Sequence, residues 1–379
     1  MPFSPYQVVE ELRKIEVPNL VKEYDIRKIY NDKNTVWDLF PMKTKSSDLI
    51  IGSMVKTLRD FSPITQKPDA GNRAPFQMLG KFLAQAFYLS EAFTVESEHI
   101  NTLRWLQEYR EGVHIPTSVQ DAIMDVIMNF GRAVEARMNR MIRTVHATQV
   151  MTLFQESFEV TLKDGSSGSI NYGIEHTDMT GNFDLSDPNA DWYSALYYML
   201  EDYRLKNGRN PEKMILGPRF FAYLLGNNHV RRQAVFDYNN LPRGVHALEK
   251  LLDTDQTFPE IRQVTDTVDV DGQPNFLMQD SADVVLWSNG VEVDTTEMCT
   301  VRSLDNEFQG WFGTDIIEVK APKAYDVYIS TNCVPVVQVP SLIQVYRVAS
   351  GPAPVGVEPV FLSGPEGPEG PEGPQGEPG

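Results

Sequence analysis

SVQDAIMDVIMNFGRAVEARMNRMIRTVHATQVMTLFQE, residues 118–156, is the stretch on which the fold turns. Ile123, Val126, Ile127, Phe130, Val134, Met138, Met141, Ile142 and Val145 recur at the spacing of one helix face. Pro116 lies just outside, Ser118 is placed to cap the N-terminus, and Gly131 is a point where the helix can kink or break. At ~1.5 Å per residue the stretch makes a rod of roughly 58 Å. Such a rod fits an extended molecule better than a compact globule, and its apolar face needs partners.

On its N-terminal side, DLIIGSMVKTLRDF (48–61) is β-prone, and FQMLGKFLAQAFYLSEAFTV (76–95) is a second apolar stretch. SPITQKPDAGNRAP between them holds three Pro, one Gly and two Asn/Asp, a strong turn signature. The spacing predicts a long two-stranded excursion over 46–96 with its tip near Gln66–Pro75. A two-stranded ribbon cannot bury both faces by itself, so it needs a partner surface. Residues 1–45 read as a short helix, Tyr6 to Lys14, followed by irregular chain, an arm rather than a domain.

On the C-terminal side, SFEVTLKDGSSGSINYGIEH (157–176) reads as a hairpin with a Gly/Ser turn. Asp191 to Lys206 is an amphipathic helix, with Trp192, Ala195, Leu196, Met199, Leu200 and Tyr203 on one stripe and Gly208 just past its end. KMILG (213–217) is a buried strand and PRFFAYLLGNNHVRRQAVF (218–236) a second helix. FLMQDSADVVLWSNG (276–290), MCTVRSL (298–304), DIIEVKAP (315–322) and the β-rich return AYDVYISTNCVPVVQVPSLIQVYRVA (324–349) supply further strands. Strand and helix interleave without regular alternation, which makes the body α+β.

Composition then narrows the function classes. Of 379 residues, 34 are Lys or Arg and 52 Asp or Glu, a net charge of −18, opposite to what a nucleic-acid groove binder carries. The two cysteines, Cys299 and Cys333, form no CxxC or Cys/His cluster, which argues against a disulfide framework or a Cys-based zinc site. Neither a signal-peptide pattern nor an apolar run of the ~18 residues a membrane span requires is visible, so a soluble, intracellularly made chain is expected. From Gly351 to Gly379, 16 of 29 residues are Gly or Pro, and from Gly364 the run GPE-GPE-GPE-GPQ-GEP-G keeps the collagen period. Three such chains in register would crowd twelve carboxylates with no cation between them, which favours a disordered tail over a triple helix. The stop on a lone Gly suggests a longer repeat that has been cut.

Catalytic patterns are missing from the sequence. It contains no G-x-x-x-x-G-K-S/T and no G-x-G-x-x-G. GSSGS (165–169) lacks nucleophile-elbow spacing and reads as a turn. The six histidines are scattered without H-E-x-x-H or any i, i+4 pair. Asp253, Asp255, Asp266, Asp269 and Asp271-Gly272 fail the calcium-loop pattern and read as a solvated loop. No catalytic residue, metal or cofactor is expected.

In order of parts and in motif the chain resembles the major capsid proteins of tailed bacteriophages with the Hong Kong 97 fold, and more narrowly the lambda-type major capsid protein E family. The residues that carry this are VEARMNRMIRTVHATQV (134–150), INYGIEHT (170–177), ADWYSALYYMLEDYRLKNGRNPEKMILGPRFFAYLLGNNHVRR (190–232) and FPEIRQV (258–264). These are packing and turn patterns, and the first hundred residues match only by order of elements. The resemblance implies an N-terminal arm (1–45), an extended E-loop (46–96) and a peripheral domain (97–158) with a spine helix over 118–156. An axial domain (159–323), returning strands of the peripheral domain (324–350) and the Gly/Pro-rich acidic tail (351–379) complete the chain.

It implies a shell subunit that assembles with itself into hexamers and pentamers of an icosahedral head around double-stranded DNA, in the virion. Further implied partners are a portal, a separate scaffolding protein, a possible decoration protein and packaged DNA held by non-specific contact, with no membrane. Lys56, Arg59, Asp60, Lys67, Asp69 and Arg73 on the hairpin suit salt-bridge contacts between subunits. Arg132, Arg137, Arg140 and Arg143 on the long helix form a basic face toward DNA or a neighbour's carboxylates, or a solvated face supported by Asp125 and Glu135. Three rivals stand beside the capsid reading: an encapsulin-like compartment shell, a surface adhesin on a collagen-like stalk, and a metal-dependent hydrolase using the Asp253–Asp271 loop.

Overall fold

The long apolar period of the sequence is realised as one helix, α1 (Thr117–Phe154), of 38 residues and about 57 Å. It starts one residue before Ser118, and it runs through Gly131 without a break. A lone glycine costs a helix interior only about 1 kcal/mol, and buried Phe130 and Val134 pack on either side of it. The computed structural model describes residues 36–45, 49–55, 78–85, 87–95, 117–161, 167–229, 258–264, 267–270, 273–276, 282–291, 293–301, 307–309, 312–320 and 323–350. The expected helix at Tyr6–Lys14, the hairpin tip at Gln66–Pro75 and the tail at 351–379 lie outside them.

Before α1 come strands β1 (Met42–Lys45), β2 (Leu49–Val55), β3 (Met78–Gln85) and β4 (Phe87–Val95). After it come β5 (Phe158–Thr161), β6 (Ser167–Ile170), β7 (Glu175–Asp178), helix α2 (Trp192–Asn207), β8 (Lys213–Leu216) and helix α3 (Phe220–Gly226). The chain continues through β9 (Glu260–Gln263), β10 (Thr267–Val270), β11 (Gln273–Phe276), β12 (Val284–Trp287), β13 (Thr296–Val301) and β14 (Glu307–Gln309). It closes with β15 (Phe312–Lys320), β16 (Lys323–Val337) and β17 (Ile343–Arg347).

Two sheets organise the body. One has the order β1-β13-β16-β15-β14, with β4 joined to β16. The 15-residue strand β16 pairs with β15 along its first half, with β13 along its second, and with β4 on its other edge. The second sheet has the order β7-β17-β12-β8-β9, parallel at its two outer pairs and antiparallel inside.

The period-2 alternation of strands explains why KMIL, VVLW and IQVY are nearly continuous apolar runs. Ile215, Val285, Trp287, Ile343 and Val345 face one core with α1 and the first sheet, while Met214, Leu216, Val284, Leu286 and Tyr346 face a second core with α2 and α3. A sheet covered on both faces has no polar side to alternate with. Helix α2 carries its expected stripe wholly buried. It is capped by Asp191, which accepts from Ser194 N, and closed by Gly208 at φ 70°, the left-handed conformation glycine adopts without a Cβ clash.

Several expectations are corrected. Within the stretch read as an arm, a 3-10 turn (Trp37–Leu39) is followed by β1, parallel to β13, and Val36, Leu39 and Phe40 are buried. Of the helix expected over 218–236, α3 covers Phe220–Gly226, Asn227 interrupts it in an extended conformation, and residues 228–229 are helical again, with 230–236 outside the described residues. Ser167 to Ser169 of the expected turn lie in β6, paired with β5, and residues 162–166 lie outside the described residues. β13, β14 and β15 join β16 and β4, whereas β17, expected with the returning strands, enters the other sheet.

Gln149 on α1 is fully buried, and neither side-chain polar atom has a hydrogen-bond partner. Replacing an unpaired buried amide by an apolar group of similar volume removes its desolvation cost. Gln149→Met is expected to raise stability by about 1 kcal/mol in urea unfolding.

Candidate assembly surfaces

Among the described residues no group of three His, Cys, Asp or Glu could hold a metal ion, and no helix is long and apolar enough to cross a membrane. Asp269 of the acidic run lies in β10, which pairs with β11, and Asp271 and Gly272 lie outside the described residues. Asp253, Asp255 and Asp266 also lie outside the described residues.

The four arginines of α1 do not form one face. Arg132 and Arg143 stand three turns apart and are both exposed. Arg137, about 140° further round, lies against β4. Its Nε donates to the Ala92 carbonyl at 2.9 Å, its Nη1 donates to the Ala133 carbonyl at 3.1 Å, and its guanidinium sits 5.0 Å above the Phe93 ring. Arg140 reaches Glu91 of β4 at 3.3 Å while remaining largely in solvent, so this pair adds little stability. Two arginines therefore tie α1 to β4, and the outward pair is Arg132 and Arg143.

The β2–β3 ribbon runs antiparallel from Leu49 opposite Gln85 to Val55 opposite Met78, with a register shift after Met54. Among the described residues no third strand joins it. Its six candidate contact residues, Lys56, Arg59, Asp60, Lys67, Asp69 and Arg73, lie between the two strands in sequence and outside the described residues. A ribbon with both edges unpaired leaves main-chain groups for another chain to cover.

Polar anchors that sequence inspection missed hold residues 36–45 in place. Asp38 receives Arg262 Nη2 at 3.0 Å and Lys213 Nζ at 3.0 Å, and Glu260 accepts from Arg262 Nε at 3.1 Å. Burial alone would raise the Asp38 pKa, but the hydrogen bonds and charges of Arg262 and Lys213 outweigh it and hold the carboxyl below its ordinary range. Lys43 sits 2.8 Å from Glu297 and 2.9 Å from Asp294. Burial likewise works against ionised Glu297, and its bonds from Lys43, Cys299 and Gln338 prevail, lowering its pKa. The ring of buried His146 on α1 accepts the Val36 N–H at 3.3 Å and stacks on Trp37. Asp38 and Arg262 are 224 positions apart, so no local spacing announces their contact.

Among solved structures, the chain is similar to a phage-related protein of Bordetella bronchiseptica RB50, with a TM-score of 0.55 and 11% identity over 89% of this chain and 97% of that one. It is also similar to a proposed capsid protein of a prophage of Escherichia coli CFT073, with a TM-score of 0.52 and 14% identity over 88% and 98%. At these identities the likeness is one of fold. No protein-family model matches the sequence, and no curated protein sequence matches it. The chain has the α+β capsid fold of the Hong Kong 97 type.

The geometry carries two expected outcomes. Because Asp38 titrates lower in the folded chain than in the unfolded one, its contribution is complete above the unfolded value of about 4 and is lost as pH falls through the lowered folded value. Asp38→Asn is therefore expected to flatten the decline of the urea midpoint below about pH 4, relative to the unsubstituted chain. Arg137→Ala is expected to cost about 1 kcal/mol through its lost carbonyl bond and ring contact. In the same urea titration, Arg143→Ala stays within about 0.5 kcal/mol of the parent.

Proposed function

We propose that this chain is the major capsid protein of a tailed bacteriophage of the lambda type, which self-assembles as hexamers and pentamers into an icosahedral head shell enclosing double-stranded DNA. The observation that carries the proposal is the Hong Kong 97-type fold with the β2–β3 ribbon, which pairs with no third strand among the described residues. A lone ribbon and a helix of about 57 Å leave surface that a single copy cannot cover, and neighbouring copies supply the cover.

Within this reading the ribbon is the E-loop, α1 is the spine helix, and Lys56, Arg59, Asp60, Lys67, Asp69 and Arg73 set register between subunits. Arg132 and Arg143 turn toward DNA phosphates or a neighbour's carboxylates. The body carries −13 after the tail's five Glu are removed from −18, so its contact with DNA is local and non-specific. A separate scaffolding protein, a portal and a decoration protein are the partners such a shell recruits. The collagen-like tail projects outward from the virion surface, and the role requires neither a catalytic residue nor a cofactor.

Light scattering and negative-stain microscopy of the expressed protein, alone and with crowding agents, test the reading. Closed shells, or rings of five and six, are expected. A monomer of 42.9 kDa that persists under every condition overturns it. Charge reversal of Arg59→Glu together with Asp60→Lys is expected to block assembly while leaving the urea midpoint within about 0.5 kcal/mol of the parent. Normal shells from that variant remove the hairpin from the interface.

A further inference from the structure

The outer side of α2 does not match its role as a core helix. Tyr197 and Tyr198 are about half exposed, and Leu205, two turns on from Tyr198, is 70% exposed. Tyr198 and Leu205 are seven residues apart and share one face of the helix. The patch continues off the helix, for the Phe183 ring lies 5.9 Å from Tyr198 and the Phe258 ring 5.7 Å from Tyr197. Exposed Glu201 and half-buried Asp202 stand between Tyr198 and Leu205 on that face, so the apolar surface is an aromatic group around Tyr197 and Tyr198 with Leu205 beyond it, and apolar surface of this kind in water marks a place that something covers.

The root of the C-terminal tail lies beside this patch. Asp184, the residue after Phe183, accepts from the Ser350 N–H at 3.2 Å and from its hydroxyl, and Leu185 N donates to the Val348 carbonyl at 2.8 Å. The tail that starts there is not polar throughout. VGVEPVFL, residues 355–362, is apolar except for one Glu, and it precedes the Gly-X-Y run that begins at Gly364.

We propose that Val360, Phe361 and Leu362 of the same chain dock on the exposed face of α2, across Tyr198 and Leu205, and fix the point from which the collagen-like run leaves the body. The tether is long enough. Phe361 lies eleven positions beyond Ser350 in sequence, a reach of up to about 36 Å, whereas Tyr198 and Leu205 are about 10 Å apart along the helix. Tethering also selects the chain's own segment over a second copy. The patch is a few side chains wide, far below the roughly 800 Å² per partner of a stable interface, while a short linker supplies an effective concentration of about 1 mM. Charge sets the apolar segment apart from the acidic repeat. Asp184 at the root, exposed Asp187 bonded to it and exposed Asp178 opposite Arg347 outnumber that one exposed cation and repel Glu366, Glu369 and Glu372, so the repeat turns away from the surface that holds the apolar segment. The proposal does not depend on shell formation, since every residue in it belongs to one chain.

The test uses the full chain, dilute and unassembled, carrying Leu205→Cys with Phe361→Cys. The native Cys299 and Cys333 are buried and unpaired by disulfide. Under mild oxidation a monomer with an internal disulfide is expected, at a yield several-fold above that of a control pairing Phe361→Cys with Glu135→Cys on the outer face of α1. Equal yields overturn the proposal, as do covalent dimers, which would assign the patch to another copy. Without engineered cysteines, chymotrypsin cutting after Phe361 is expected to accelerate about tenfold in the Tyr198→Ser, Leu205→Asp variant, because cleavage follows the undocked population. An unchanged rate overturns the docking, whether or not the protein forms shells.

Discussion

Where the C-terminal third of α1 meets the rest of the chain, Val145, Val150, Leu153 and Phe154 share one buried apolar cluster with strands of both large sheets. Cys299, Val334 and Val336 enter it from the β13–β16 sheet, and Ile215, Val285 and Val345 from the β8–β12–β17 sheet. This three-way packing is the constraint on which the subunit depends. Remove it, and the long helix loses its seat, the two sheets lose their common wall, and the ribbon ahead of β4 loses a fixed base. Close-packed interiors transmit displacement instead of absorbing it, so the helix, the sheets and the ribbon base are held as one frame.

Polar contacts do a different job in this frame. They close its ends. Asp38 with Arg262 and Lys213, and Lys43 with Glu297, pin residues 36–45 to the edges of the two sheets. Tyr203 donates to the Leu342 carbonyl at 3.0 Å and lies 2.8 Å from Ser288 Oγ, tying α2 to the turn between β16 and β17. Each of these bonds joins residues far apart in sequence, and partners half removed from water make them stronger than their exposed counterparts. Apolar layers therefore set the architecture, while buried and half-buried charges set where the chain enters and leaves it.

Legibility in the sequence followed the range of the forces involved. The α1 rod and the α2 stripe, with Asp191 before it and Gly208 after it, were readable because capping and helical period act within a few residues. The β2–β3 ribbon was readable from two apolar runs around a proline-rich break. The interruption after α3 was not readable, because an apolar period cannot show that Asn227 turns extended. The four arginines of α1 looked equivalent as a charge run. Only the position of β4 separates Arg137, folded over Phe93, from Arg132 and Arg143 in solvent.

The same division holds for the molecule as a whole. By itself the sequence determined the α+β class, the long helix, the amphipathic helix and the acidic Gly/Pro tail, since each rests on local periodicity or composition. Tertiary structure alone decided that residues 36–45 form part of a sheet, that β16 and β17 enter different sheets, and that the Tyr198–Leu205 face lies beside the tail root. Those outcomes depend on which distant strands share hydrogen bonds and which side chains share a core. Pairings of that kind are chosen by the energy of the whole fold, which no window of neighbouring residues contains.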